Sequence, residues 1–117
     1  MNKDFLKPSL ADLIRQIHCI NHAWKLSQEM EDNNHFLGIR LRDLKTRLQI
    51  KLLKKYAPDY VYLKEDKNIE SEEKVYGLIL VSPINNYSDV AHLPIRVAKK
   101  MLSEEEIAHF SKSLSNI

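Results

Sequence analysis

The sequence predicts an α+β fold, in which an N-terminal antiparallel helical hairpin precedes a two-stranded β-hairpin and one or two short C-terminal helices (α-α-β-β-α-α). Two long stretches with apolar residues at helical spacing are separated by a short turn cluster, which predicts the helical hairpin. A continuous apolar run at residues 75–81 (VYGLILV) has the composition of a buried strand. Two glycines among 117 residues indicate few tight turns and a largely helical chain.

Length and composition predict one domain covering residues 1–117. The apolar fraction of 44% and the charged fraction of 29% are ordinary for a globular protein, and a net charge of +2 does not by itself indicate a nucleic-acid partner. The single cysteine, Cys19, excludes an internal disulfide and favours a cytoplasmic location. We expect no membrane span and no signal peptide, because the sequence has no run of about 18 apolar residues and its N-terminus lacks an apolar core.

The first helix is predicted to begin at a capping box formed by Ser9 and Asp12 and to end near Glu31. One strong apolar stripe runs along it, and a weaker second stripe lies beside the first. We expect Cys19, which lies in the weaker stripe, to be buried rather than reactive. The strong stripe contains Leu10, Leu13, Ile14, Ile17, Ile20 and Trp24, and the weaker one contains Cys19, Ala23, Leu26 and Met30.

The second helix, at residues 36–56, is the element around which the rest of the chain is expected to pack. It follows the turn cluster at residues 32–34, begins near His35 and ends where Pro58 excludes helical geometry from the residue before it. Apolar residues lie on two sides of this helix, which predicts that other elements cover both sides. The two sides comprise Leu37, Leu41, Leu44, Leu48 and Leu52 on one, and Ile39, Ile50 and Leu53 on the other.

Two strands are predicted, at residues 60–63 and 75–81, with the charged residues 64–74 as a hairpin tip. Gly77 indicates a bulge or a close backbone approach within the second strand. Residues 82–89 (SPINNYSD) are predicted to form a turn-rich loop. Because two strands do not form a stable sheet alone, they must pack on the helices or gain partners from a second copy of the chain.

The C-terminal region predicts two short helices. The first begins near Pro94, and its apolar residues lie between positions 95 and 102. The second begins at a capping box formed by Ser103 and Glu106 and ends near Leu114. A helix-turn-helix DNA-binding motif is disfavoured here, because three glutamates at the start of the last helix would repel phosphates.

The second helix also presents four basic residues, Arg40, Arg47, Lys51 and Lys54, on one side. Within residues 36–56 only Asp43 opposes this positive charge. Such a basic ridge can bind a phosphate backbone or an acidic protein surface. It can also be a solvated helix flank, or pair with the acidic hairpin tip and with residues 104–106.

A metal site is a second hypothesis, because His18 and His22 lie four residues apart on one helix face with Glu29 nearby. Two histidines at this spacing bind one metal ion in helical zinc sites. The sequence fixes no third ligand, and histidines on the polar flank of a helix are equally consistent with the pattern.

A third and remote hypothesis comes from Pro58-Asp59 followed by Glu72-Glu73-Lys74, which matches the short pattern of restriction-like nucleases. In that interpretation the two acids hold a divalent metal ion and Lys74 positions a water molecule. The acidic part of the pattern precedes its strand instead of running along it, and a charged hairpin tip produces the same match by accident. We find no nucleophile motif and no glycine-rich phosphate loop, so neither an enzyme nor a cofactor is predicted.

Together these patterns predict a small soluble interaction or regulatory protein, without catalytic activity, that self-associates and binds another protein. A nucleic-acid-binding protein that uses the basic ridge is the alternative, and a metal-dependent nuclease is the remote one.

Overall fold

We describe residues 9–30, 35–67 and 73–111 of a computed structural model of the chain. These residues form a mixed α+β structure with four helices and a three-stranded antiparallel sheet in the order β1-β2-β3. The predicted fold class and helical hairpin are therefore confirmed. The elements are α1 (Leu10–Glu29), α2 (His35–Tyr56), β1 (Val61–Glu65), β2 (Val75–Ile84), β3 (Tyr87–Pro94), α3 (Ile95–Met101) and α4 (Glu104–Phe110).

Helices α1 and α4 begin where their capping residues predict. The backbone N–H of Asp12 donates to the Ser9 hydroxyl (3.1 Å), and the Ser9 N–H donates to the Asp12 carboxylate (3.3 Å). Ser103 and Glu106 form the same reciprocal pair, with both distances 3.0 Å. Each box provides acceptors for two backbone N–H groups that lack a partner at the start of a helix. The last helix ends at Phe110, before the predicted end at residue 114, which lies outside the described residues.

The predicted loop at residues 82–89 is wrong, because this segment completes a β-hairpin and adds a third strand. β2 continues to Ile84, which pairs with Tyr87 of β3 across a two-residue turn. The turn residues Asn85 and Asn86 have positive φ angles of 53° and 68°. Two consecutive left-handed residues are typical of the tight turn that joins antiparallel strands directly, and asparagine tolerates this conformation. The third strand also removes the argument that two strands need a second copy of the chain to form a sheet.

A buried glutamine on α2 joins the helical hairpin to the edge strand β3. Gln49 is fully buried, and its Nε2 donates to the backbone carbonyls of Val90 (3.1 Å) and His92 (3.2 Å). These carbonyls flank Ala91, which has a φ of 64° at a bulge in the β2–β3 register. Since a buried carbonyl without a donor costs free energy, Gln49 stabilises the bulged edge of the sheet.

The core lies between the helices and one face of the sheet. It contains Leu13, Ile14, Ile17, Ile50, Leu52, Leu53, Val61, Leu63, Leu78, Leu80, Val90, Ala91, Leu93, Ala98, Leu102 and Phe110. The prediction that α2 is covered on both apolar sides therefore holds only for its C-terminal half. In its N-terminal half Leu37 is 48% exposed and Leu44 is 43% exposed, and Ile39 is also exposed.

Three further expectations require correction. Cys19 is exposed, because the buried side chains of the core on α1 come from its first half, and the weaker apolar stripe faces outward. The strand predicted to be buried at residues 75–81 is buried only in part, because Leu78 and Leu80 lie in the core whereas Val81 is exposed. Helix α1 ends at Glu29, two residues before the predicted end. Gly77 was predicted to mark a bulge or a close backbone approach within β2; the register does shift between Gly77 and Ile79, but the extra residue lies on β3.

Replacing the buried amide of Gln49 tests its role in holding β3. Gln49→Met keeps the length of the side chain but removes both donors to the β3 carbonyls. We expect the free energy of unfolding to fall by about 1–2 kcal/mol, because the buried Val90 carbonyl and the partly buried His92 carbonyl lose their donor. Removal of the buried Oε1 of Gln49, which has no hydrogen-bond partner among the described residues, offsets part of this loss. Urea unfolding followed by circular dichroism measures this change. Gln16→Met, at an exposed position of α1, is the matched control, and an equal loss in both variants would contradict the interpretation.

Candidate functional site

An exposed strip along α2, which we call the α2 strip, is the most extended candidate surface. Its residues follow the spacing three-four-three-four-three, which places them on one face of a helix. All of their side chains are exposed, although this helix packs against other elements elsewhere. The α2 strip consists of Leu37, Arg40, Leu44, Arg47, Lys51 and Lys54.

The position of Gln49 explains why this face is exposed. At 3.6 residues per turn, the centre of the α2 strip lies about 170° around the helix from Gln49. Because Gln49 points toward β3, the α2 strip points away from the sheet. Around the helix, the predicted leucine stripe is centred between the α2 strip and the side of α2 that contacts α1. Leu37 and Leu44 of this stripe are therefore exposed, whereas Leu52 is buried.

The charged side chains of the α2 strip are largely unpaired. Arg40 lies over the ring of Phe36, with its guanidinium carbon 5.1 Å from the ring centroid. Lys54 Nζ is 4.0 Å from Glu106 Oε2, so this end of the strip has the acidic neighbour that the sequence suggested. Among the described residues, neither Arg47 nor Lys51 forms an ion pair. Both cations are therefore available to a partner.

A cavity of about 320 Å³ lies beside the α2 strip, between α2 and α3. We call it the α2–α3 cavity. Three arginines, Arg42, Arg47 and Arg96, line it together with apolar residues of α3, and Arg96 Nε donates to Glu73 Oε1 at 2.9 Å. Its other lining residues are Asp43, Thr46, Pro94, Val97 and Met101.

A second cavity, of about 460 Å³, lies on the sheet near Gly77. His92 and Asp66 form a side-chain pair there, with 3.0 Å between Nε2 and Oδ2. The cavity is lined by Lys64 of β1 and His92 of β3, which are the residues paired with Gly77 in the two neighbouring strands. The pair joins the end of β1 to β3 across β2, so its most direct role is to hold the two edge strands together.

The structure gives His18 and His22 different surroundings. His18 Nε2 donates to the backbone carbonyl of Asp89 at 2.8 Å, and its ring stacks on Tyr87 at 3.6 Å between centroids. His22 is exposed. Within the described parts of the chain, no group of three or more His, Cys, Asp or Glu side chains is arranged to hold a metal ion. The metal hypothesis for this pair stays a prediction.

Only some residues of the restriction-like nuclease pattern lie in the described part of the chain. Asp59 is exposed after α2, and Glu73 is paired with Arg96. Glu72 lies outside the described residues. This hypothesis also stays a prediction.

The described helices include none that is long and apolar enough to cross a membrane.

Several residues of these surfaces are not evident from the sequence pattern. Leu37 and Leu44 were assigned to a buried stripe, although their spacing with Arg40 and Arg47 already indicated a continuous mixed face. Arg96 was not connected with α2, because only the tertiary structure brings α3 beside it.

Lys45 is a further missed residue, buried where α1 and α2 pack together. Its Nζ donates to Asn21 Oδ1 at 3.2 Å and lies 4.9 Å from the ring centroid of Trp24. Burial, which is the largest cause, and the neighbouring charges of Arg42 and Lys25 together lower the pKa of Lys45 from 10.5 to about 8. The helical hairpin therefore contains a cation whose protonated form is disfavoured by folding.

Comparison of the chain with models of protein families, with curated proteins and with solved structures gives no match.

The lowered pKa of Lys45 predicts that the protein becomes more stable as pH rises. The unfolded chain keeps the proton up to the ordinary pKa of 10.5, whereas the folded chain releases it near pH 8. In this window the unfolded state binds more protons, so the free energy of unfolding increases with pH. Between about pH 7.5 and about pH 9.5 we expect a gain of about 1–2 kcal/mol in urea unfolding.

The matched variants identify the group responsible. Lys45→Met should lack the gain, and Lys99→Met, at an exposed position of α3, should retain it. A rise of the same size in both variants would assign the effect to another group.

Proposed function

We propose that this protein is a non-catalytic docking protein whose α2 strip binds an acidic amphipathic helix of another protein. The observation that supports the proposal is the alternation of exposed leucines and cations at coiled-coil spacing, on the face of α2 opposite its buried anchor Gln49. The same residues include all four members of the predicted basic ridge.

The apolar members of the strip favour a protein partner. Leu37 and Leu44 are two turns apart and remain exposed, although α2 packs against α1, β1 and β3 on its other sides. A partner helix that places apolar side chains between Arg40 and Arg47 would bury both leucines. Each leucine removed from water contributes about 1.5–3 kcal/mol before the costs of association are subtracted.

The basic members determine the charge of the partner. Cations at seam positions of a helix pair disfavour a basic partner and favour acidic side chains at the facing positions. Arg47 and Lys51 form no ion pair in the described structure, so an acidic partner would supply their first ion pairs. Exposed charges of one sign also accelerate association with an oppositely charged surface.

Nucleic acid is a second candidate, because α3 extends the basic surface of α2. The α2–α3 cavity brings Arg96 beside Arg42 and Arg47, and Lys99 and Lys100 are exposed on the same short helix. Asp43 and Glu73 on this surface weaken its attraction for phosphates, as do the three glutamates of the last helix. The two leucines would also gain nothing from a phosphate backbone.

Self-association is a separate part of the proposal. Leu26 and Met30 are exposed near the end of α1, and Phe36 is exposed at the start of α2. These apolar side chains lie at the same end of the helical hairpin, where a second copy of the chain would cover them.

Binding to a labelled acidic amphipathic peptide tests the docking proposal. The probe is a labelled helical peptide with leucine and glutamate alternating at the a and d positions. Fluorescence anisotropy of the label measures its binding to the protein. We expect saturable binding that weakens with salt, and Arg40→Glu combined with Arg47→Glu should weaken it at least about tenfold. Leu44→Ser should weaken it as well, because the apolar contact is lost without a change of charge.

The matched control is Lys99→Glu combined with Lys100→Glu, which changes the net charge by the same amount outside the α2 strip. Equal losses in the two double variants would reduce the interaction to nonspecific charge attraction and contradict the proposal. Tighter binding of a labelled DNA or RNA duplex than of the peptide, lost in the same Arg40 and Arg47 variant, would support the nucleic-acid candidate instead.

Light scattering tests self-association independently. We expect a mass of twice the 13.7 kDa of one chain, because burial of apolar side chains favours a dimer. Leu26→Ser combined with Met30→Ser should restore the monomer mass. A monomer mass for the unmodified protein at high concentration would contradict this part of the proposal.

A further inference from the structure

We propose that the α2–α3 cavity binds a small organic anion, whose phosphate or carboxylate group is held by Arg42 and Arg47 and whose apolar part lies against Val97 and Met101. This site is distinct from the α2 strip, although Arg47 lines both. The proposal does not depend on a protein partner.

The charges around the cavity favour an anion. Arg96 is paired with Glu73, but neither Arg42 nor Arg47 forms an ion pair in the described structure. Two guanidinium groups that line one cavity repel each other until an anion lies between them. The planar guanidinium fork matches the two oxygens of a carboxylate or a phosphate, so it binds either group with directed hydrogen bonds.

The other walls of the cavity favour an organic ligand over a simple ion. Thr46 is buried on α2 and lines the cavity beside the arginines, so the lining also contains a neutral polar residue. Pro94, Val97 and Met101 form the apolar side, and methionine adapts to ligands of different shape. A ligand that uses both sides needs a charged group and an apolar body.

Size and net charge narrow the class of ligand. A volume of about 320 Å³ lies at the lower end of the range for small-molecule sites, which is about 300–1,000 Å³. Three arginines and two carboxylates, Asp43 and Glu73, leave one net positive charge at the cavity. Asp43 disfavours a polyphosphate, so the structure favours a ligand with a single phosphate or carboxylate group.

Titration with four simple probes tests the proposal. Phenyl phosphate and benzoate combine an anionic group with an apolar ring, whereas inorganic phosphate and phenol each supply one part. Binding is followed by shifts of the Thr46 and Val97 backbone amide signals in NMR spectra. We expect one of the two ring anions to give saturable shifts and to bind at least about tenfold more tightly than inorganic phosphate or phenol.

The comparison of phenyl phosphate with benzoate identifies the anionic group that the site prefers. Arg42→Gln should weaken binding of the preferred probe at least about tenfold, whereas Arg40→Gln, on the same helix but outside the cavity, should leave it unchanged. Met101→Ser should weaken binding of the ring anion but not of inorganic phosphate. Unfolding curves of all three variants establish that each remains folded under the conditions of the titration.

Two results would overturn the proposal. One is the absence of saturable shifts of the Thr46 and Val97 amide signals up to about 10 mM of either ring anion. A dissociation constant above this concentration would not indicate a specific site. The other is binding that Arg42→Gln leaves unchanged. Leu44→Ser separates this proposal from the docking function, because it should reduce peptide binding and leave anion binding intact.

Discussion

The hydrogen bonds from Gln49 to the carbonyls of Val90 and His92 are the interaction on which the arrangement of this protein depends. They join the middle of α2 to a bulged edge strand, at a position from which water is excluded. A polar side chain in a core is favourable only in the orientation that satisfies its partners. Gln49 therefore favours one rotation of α2 about its axis, which also buries Ile50, Leu52 and Leu53 in the core.

This rotation determines the surroundings of every side of α2. The side of Lys45 and Leu52 meets α1, and the side of Thr46 faces the cavity beside α3. The α2 strip lies on the remaining side and has no element of the described structure to cover it. The two proposed sites are consequently neighbours on one helix, which meet at Arg47 and differ in their other residues.

Much of the fold was predictable from local chemistry. The capping boxes at Ser9 and Ser103, together with Pro58, predicted where helices begin or end, because these signals act within a few residues. The third strand was missed because Asn85 and Asn86 resemble any polar loop until their left-handed geometry is known, and because β3 lacks an alternating apolar pattern. The basic members of the α2 strip were found at the sequence level, whereas its two leucines were wrongly placed in the core.

The sequence by itself determined the helices, the two apolar strands and the side of α2 on which the basic residues lie, since helical spacing places residues 40, 47, 51 and 54 together regardless of the rest of the chain. Tertiary structure alone decided which apolar residues are covered. Leu44 and Leu52 are the same residue type and belong to the same predicted leucine stripe of α2. Only Leu52 is covered by other elements of the fold. Burial depends on the position of the packed elements, and here the apolar core and the buried amide of Gln49 together favour that position.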